Sequence, residues 1–298
     1  GARRQVTTNP AADGCPRYSP DGRWLAYRAM KRPGFEADRW QVVLLNRETG
    51  ALRSLTADWD RSVEGLTWSP DSRFLVLEAE DQATKRLWRV GLEGGTPEAL
   101  TGGGAASEPT VLRDASTVVF SRSTLNAPAE LFSVPVTGGT AAPLTQLNAP
   151  VLARVAMNVP ESVTVRGAGG TPVQMWILQP PGFDPARKWP LVFWVHGGPQ
   201  GAFLDSWSYR WNAQLWAAQG YVVALPNPRG STGFGQRFTD QISHDWGGRV
   251  YRDLMACLDS LEKRPWIDTQ RMAAAGASYG GYMMNWFQGN TDRFKTLV

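Results

Sequence analysis

Apolar and polar positions alternate in short runs through the first half of the chain, and the rhythm changes near residue 150. Tyr18-Ser19-Pro20-Asp21-Gly22-Arg23-Trp24-Leu25-Ala26-Tyr27 returns as Trp68-Ser69-Pro70-Asp71-Ser72-Arg73-Phe74-Leu75-Val76-Leu77, and in worn form from Leu112 to Phe120. Each copy reads as a turn followed by a strand with one buried face. Gln41 to Leu45, Leu87 to Val90 and Glu130 to Val134 form a second set of strands. Each leads through a glycine turn to a Leu-Thr step, at Leu55-Thr56, Leu100-Thr101 and Leu144-Thr145, spaced 45 and 44 residues apart. Two landmarks on one period in the forties, with several short strands per unit, predict propeller blades rather than a sandwich with accidental similarity. Three blades are countable. A closed propeller needs about four or more, so further blades are expected on the N-terminal side.

After Pro150 the runs lengthen. Glu161 to Arg166 and Val173 to Leu178 predict strands around a glycine turn, Gly167 to Gly170. Leu191 to Val195 is continuously apolar, the pattern of a strand covered on both faces. Ser208 to Gln219 predicts a helix ended by Gly220, and Tyr221 to Leu225 another buried strand. Val250, Leu254, Leu258 and Leu261 recur at helical spacing, giving an amphipathic helix from Gly248 to Lys263. Met272 to Gly276 is the last strand, expected at the open edge of the sheet, and a helical pattern starts at Tyr282 and takes in Asp292. The alternation predicts a mostly parallel α/β sheet.

The chemistry concentrates at Gly276-Ala277-Ser278-Tyr279-Gly280-Gly281-Tyr282. This is a G-x-S-x-G turn between a strand and a helix, the setting of a nucleophile elbow, with Ser278 as candidate nucleophile. His196-Gly197-Gly198-Pro199 follows the Leu191 to Val195 strand. A glycine-rich loop there can turn a bare backbone amide to a developing oxyanion, the second amide coming from the residue after the nucleophile. Gly198 and Tyr279 are the candidate donors. His196 precedes the serine and sits within that loop, so a structural role is expected for its ring. His244 is assigned a cap or loop contact. The triad order in this fold is Ser, acid, His, and none of residues 279–298 is a histidine. Arg229, in the Pro-Gly-rich loop from Pro226 to Gly235, is expected to tie that loop to a carboxylate. Trp207, Trp211 and Trp216 are assigned to core and helix packing rather than to a substrate cage.

Composition narrows the classes. Hydrophobic residues make up 42% and charged residues 19%, with a net charge of +4. The charges are dispersed, which argues against a nucleic-acid surface. No apolar run is long enough for a membrane span. With two histidines and two distant cysteines, Cys15 and Cys257, neither a histidine-rich metal site nor a disulfide is expected. The chain opens Gly1-Ala2-Arg3-Arg4 without an initiator methionine, and both ends are expected to be cuts in a longer chain.

The loop at His196 to Pro199, the stretch Asn227 to Gly235, Asp245-Trp246-Gly247-Gly248 and the elbow together resemble the prolyl oligopeptidase family of serine peptidases. The acylaminoacyl-peptidase and dipeptidyl-peptidase-V-like branch is the nearest likeness. The resemblance implies a partial β-propeller of about three blades over residues 1–150, followed by a truncated α/β-hydrolase domain over 151–298. It implies Ser278 as nucleophile, Gly198 and Tyr279 as oxyanion donors, short peptides as substrates, and neither cofactor nor metal. The family's Asp and His would lie beyond Val298. An esterase on the same fold, or a non-catalytic propeller that binds a partner, are the rival readings.

Overall fold

The computed structural model describes residues 3–298. The first two residues of the expected blade segment lie outside that range. The chain divides into two compact units. One comprises the chain up to Arg122 with Glu130–Gln146, and the other Ser123–Ala129 with Leu147–Val298.

The first unit is built from three antiparallel meanders. Strands β1 (Asp13–Tyr18), β2 (Trp24–Ala29), β3 (Gln41–Asn46) and β4 (Leu52–Ser54) form the first. Strands β5 (Val63–Trp68), β6 (Phe74–Asp81), β7 (Thr84–Gly91) and β8 (Glu98–Ala99) form the second, and β9 (Ala105–Val111), β10 (Thr117–Thr124), β11 (Ala127–Pro135) and β12 (Ala142–Pro143) the third. A parallel pairing of Lys85 with Ala105 joins the second and third into one sheet. The described strands form open sheets, not a closed ring.

The repeated residues have repeated jobs. In the first two turns Ser19 and Ser69 accept the amides of Trp24 and Phe74 at 2.9 and 3.1 Å, while Asp21 and Asp71 accept those of Arg23 and Arg73. Hydrogen bonds of this kind favour the ionised carboxylate, and Asp21 sits below the usual carboxylate range, led by its bond from the Ser19 hydroxyl. In the third turn Leu112 replaces the serine and Asp114 bonds Ser116 instead. The Leu-Thr steps lock the fourth strand to the third. The threonine hydroxyls of Thr56, Thr101 and Thr145 accept the amides of Val42, Leu87 and Leu131 at 2.9, 3.0 and 2.9 Å. Each meander's short outer strand is thereby held by one side-chain bond where its ladder stops.

The second unit holds a six-stranded sheet. Its strands are β13 (Glu161–Arg166), β14 (Pro172–Leu178), β15 (Trp189–Val195), β16 (Val222–Asn227), β17 (Ile267–Gly276) and β18 (Thr296–Leu297), ordered β13-β14-β16-β15-β17-β18. β13, β14 and β16 pair antiparallel, whereas β16, β15, β17 and β18 run parallel. The sheet is therefore mixed, with the parallel half where the elbow lies. The helices are α1 (Ala149–Leu152), α2 (Ala213–Ala218), α3 (Gln236–Asp240), α4 (Arg249–Glu262) and α5 (Tyr279–Asn290). The core under α4 and α5 gathers Phe193, Leu191, Val195, Leu254, Leu258 and Phe287. Full burial of such side chains contributes about 1.5–3 kcal/mol each.

Three expectations need correction. β17 is not the edge strand: β18 pairs with it, and the amides of Lys295, Val298 and Gly276 close the ladder at 2.8–3.0 Å. The helix expected over 208–219 begins only at Ala213, because Asn212 stays extended and its side chain caps the Gln214 amide at 2.9 Å. The helix after the elbow starts at Tyr279 and ends at Asn290, leaving Asp292 outside it and exposed.

Candidate active site

The elbow is a strained turn that only its sequence permits. Ser278 adopts φ 58, ψ −121 between β17 and α5, a region costing roughly 1–3 kcal/mol for a residue with a Cβ. The glycines around it are sterically required. A Cβ on Gly276 would lie 2.6 Å from the Gly280 carbonyl carbon, and one on Gly280 would overlap the Val195 carbonyl oxygen. The turn so tightened leaves Ser278 exposed. Tyr279 is the first residue of α5, so its amide has no intrahelical acceptor and carries the positive end of the helix dipole. Its side chain is buried, donates to the Trp246 carbonyl at 2.7 Å, and meets the Trp246 ring edge-on at 5.5 Å. Burial pushes the phenol up from its ordinary value, so it stays protonated.

The glycine loop after β15 comes to the elbow through Gly197. A Cβ there would stand 3.3 Å from the Ser278 Cβ and 3.1 Å from the Ala277 carbonyl. The next residue, Gly198, is exposed with φ +125, and a side chain on it would run into the Gln200 amide at 2.6 Å. Beside Ser278 opens a cavity of about 500 Å³, lined by Gly197, Ala277, Trp194, Phe203, Trp211 and Leu225 among others. Gly198 is outside its lining. Trp211 is 52% exposed and Trp216 38%, so these two are not core residues. They meet Trp194 at 6.0 Å, and Trp211 walls the cavity.

The polar residues around the loop are braced, not free. His196 is buried, its Nδ1 2.7 Å from the Gly197 carbonyl and its Nε2 2.9 Å from the Ser231 hydroxyl. Burial holds its pKa below the ordinary value, so the ring is neutral. The Ser231 hydroxyl donates to the Pro228 carbonyl at 2.6 Å, so Nε2 carries the ring's proton and gives it to Ser231. His244 lies exposed at φ 61 in the loop before α4. Arg229 is tied to a carboxylate, as its loop position suggests. Its Nε and Nη2 reach Asp253 at 2.6 and 2.9 Å, its amide reaches the same carboxylate at 3.1 Å, and Ala168 donates to it at 2.8 Å. The partner, Asp253, escaped the sequence reading. Its only signal there is a charged residue on the apolar face of α4, one position before Leu254.

Residues 207–298 match the prolyl oligopeptidase family. Over that segment the chain is similar to that family. It is 40% identical to a probable dipeptidyl-peptidase 5 of Trichophyton verrucosum, over 96% of this chain and 40% of that protein. The chain thus spans about 40% of the length of the curated relatives it matches. Among solved structures, Pyrococcus horikoshii acylaminoacyl peptidase superposes with a TM-score of 0.80 at 21% identity, covering 93% of this chain and 43% of the other. Porphyromonas gingivalis dipeptidyl peptidase 4 superposes at 0.72 and 20%, covering 95% and 40%. At such identities the likeness is one of fold. No helix among the described residues is long and apolar enough to cross a membrane.

Proposed function

We propose that this chain carries the nucleophile half of a serine peptidase that releases short peptides, dipeptides being the favoured product. Residues 1–150 are read as propeller blades and 151–298 as the nucleophile-bearing part of an α/β-hydrolase domain. Ser278 attacks the scissile carbonyl, the Gly198 and Tyr279 amides take the oxyanion, and an acyl-enzyme on Ser278 is hydrolysed by water. The observation that carries this reading is the elbow itself. A serine is held exposed at positive φ between two glycines that admit no side chain, with a helix amide immediately after it. The apolar cavity beside Ser278 supports an apolar side chain next to the scissile bond. The names of the relatives support dipeptide release over other peptidase chemistries.

Neither histidine is assigned as the base: His196 is buried with Nε2 on the Ser231 hydroxyl, and His244 precedes the elbow, against the Ser, acid, His order of this fold. The activating base and its carboxylate are therefore assigned to no residue of 1–298. Residues 1–298 alone are expected to show a severe loss of peptidase activity rather than strict zero, since an oxyanion site and binding leave some catalysis without the triad base. The test is covalent labelling of the full-length protein with a fluorophosphonate, followed by peptide mapping. Modification of Ser278 is the expected result; modification elsewhere, or none, overturns the proposal.

A further inference from the structure

We propose that Arg210 binds the C-terminal carboxylate of a short peptide whose leaving residue occupies the cavity beside Ser278, an inference that rests on the peptidase reading above. The cavity has aromatic walls from Trp194, Phe203 and Trp211, and its volume of about 500 Å³ is that of a small-ligand site. Among the described residues on its wall only Arg210 carries a charge, since the His196 ring is neutral and no carboxylate lines it. Exposed arginines are ordinary. One on the wall of the cavity that holds the nucleophile, with no acid on that wall, invites an anion.

The guanidinium is held without being used up. Its Cζ lies 5.2 Å from the centroid of the neighbouring Trp211 ring, and among the described residues it donates to no carbonyl or carboxylate. Stacking of this kind leaves the N–H fork open to a planar carboxylate. The nearest acid in sequence, Asp205, takes the Leu125 amide at 2.8 Å and is not on the cavity wall. Two hydroxyls on that wall add donors. Ser208 accepts the Trp211 amide at 2.9 Å and keeps its own hydrogen to give, and the Ser206 hydroxyl has no partner among the described residues. The backbone makes the grouping possible. In a helix consecutive side chains diverge, but the stretch before α2 is irregular up to the Asn212 cap, and Arg210 and Trp211 both line the cavity.

The anion common to every short peptide, whatever its sequence, is its C-terminal carboxylate. In a tripeptide cut to a dipeptide it stands one residue beyond the scissile bond, a reach of about 3.3–3.6 Å per residue. An apolar leaving residue would meet the aromatic walls, and its carboxylate the guanidinium. A cut inside a long chain puts no carboxylate there, so the same side chain biases the enzyme towards short substrates.

The experiment uses the full-length protein and two substrates that differ only in that carboxylate, the tripeptide Ala-Ala-Leu and its C-terminal amide. Released leucine or leucinamide is quantified by chromatography, and the ratio of kcat/KM for acid over amide is compared between wild type and Arg210→Met. The variant's ratio carries any intrinsic difference between the two leaving groups. The wild-type ratio is expected to exceed it by about tenfold or more, the scale of a hydrogen bond to a charged group. Arg210→Glu should drive the ratio below that of Arg210→Met. The side chain is exposed, so neither substitution puts the fold at risk. Ratios equal within about twofold in wild type and Arg210→Met, a ratio in Arg210→Glu no lower than in Arg210→Met, or cleavage of neither tripeptide overturns the proposal. Failure of the peptidase reading shows separately, as a Ser278→Ala variant that keeps its activity, and the inference falls with it.

Discussion

Replacing Asp253 with alanine removes one residue and strands another. Asp253 is fully buried and Arg229 is 3% exposed. The carboxylate accepts four bonds between 2.6 and 3.1 Å, three from Arg229 and one from the Ala168 amide. In Asp253→Ala the guanidinium keeps the Ala168 carbonyl at 2.7 Å and otherwise lies unpaired in the core. Breaking a buried pair in this way costs about 3–5 kcal/mol. An exposed ion pair would cost under about 1 kcal/mol. Removing both charges together, as Arg229→Met with Asp253→Leu, avoids the stranded ion, so the double variant should be more stable than either single one. Native-state hydrogen exchange of the full-length protein, read on peptides covering residues 249–262, reports the opening free energy of α4 directly. A loss below about 1 kcal/mol in Asp253→Ala, or a double variant less stable than both singles, would refute the argument that this pair clamps the loop.

Gly280→Ala should abolish activity and lower stability by about 1–3 kcal/mol, because the new methyl group overlaps the Val195 carbonyl; wild-type thermal stability in that variant would show the contact can relax. Thr101→Val should cost about 1–3 kcal/mol by leaving the buried Leu87 amide without an acceptor, whereas Thr145→Val, at a more exposed copy, should cost less; urea unfolding of both variants checks the order. The His196 ring is neutral when folded and titrates near its ordinary 6.5 when unfolded. The unfolded chain therefore binds the extra proton, so the stability this residue supplies is complete above 6.5 and is lost as pH falls below it. Substituting His196 with Phe should flatten that part of the stability–pH curve, and an unchanged curve would argue against a neutral buried ring.

Much of the fold is written in local patterns. The Ser-Pro-Asp turns and Leu-Thr steps were legible because each copy makes the same short-range hydrogen bonds, so the residue types cannot drift far. The elbow was legible because its glycines are dictated by backbone contact. What escaped depends on partners distant in sequence. Asp253 is explained only by Arg229, and Gly197 is seen to be the glycine against Ser278 only when β15 and β17 are paired. The start of α2 was misplaced because the tryptophans before it mimic a helical stripe, while the Asn212 cap is a single residue. β18 is two residues long and carries too little pattern to be recognised.

The central claim is that Ser278 is the nucleophile. The most direct test is kcat/KM of the purified full-length protein against a dipeptidyl chromogenic substrate, measured for wild type and Ser278→Ala at equal folded concentration. The account predicts a loss on the order of 10⁴-fold or more in the variant, with the fold intact by circular dichroism. Activity within tenfold of wild type would contradict it.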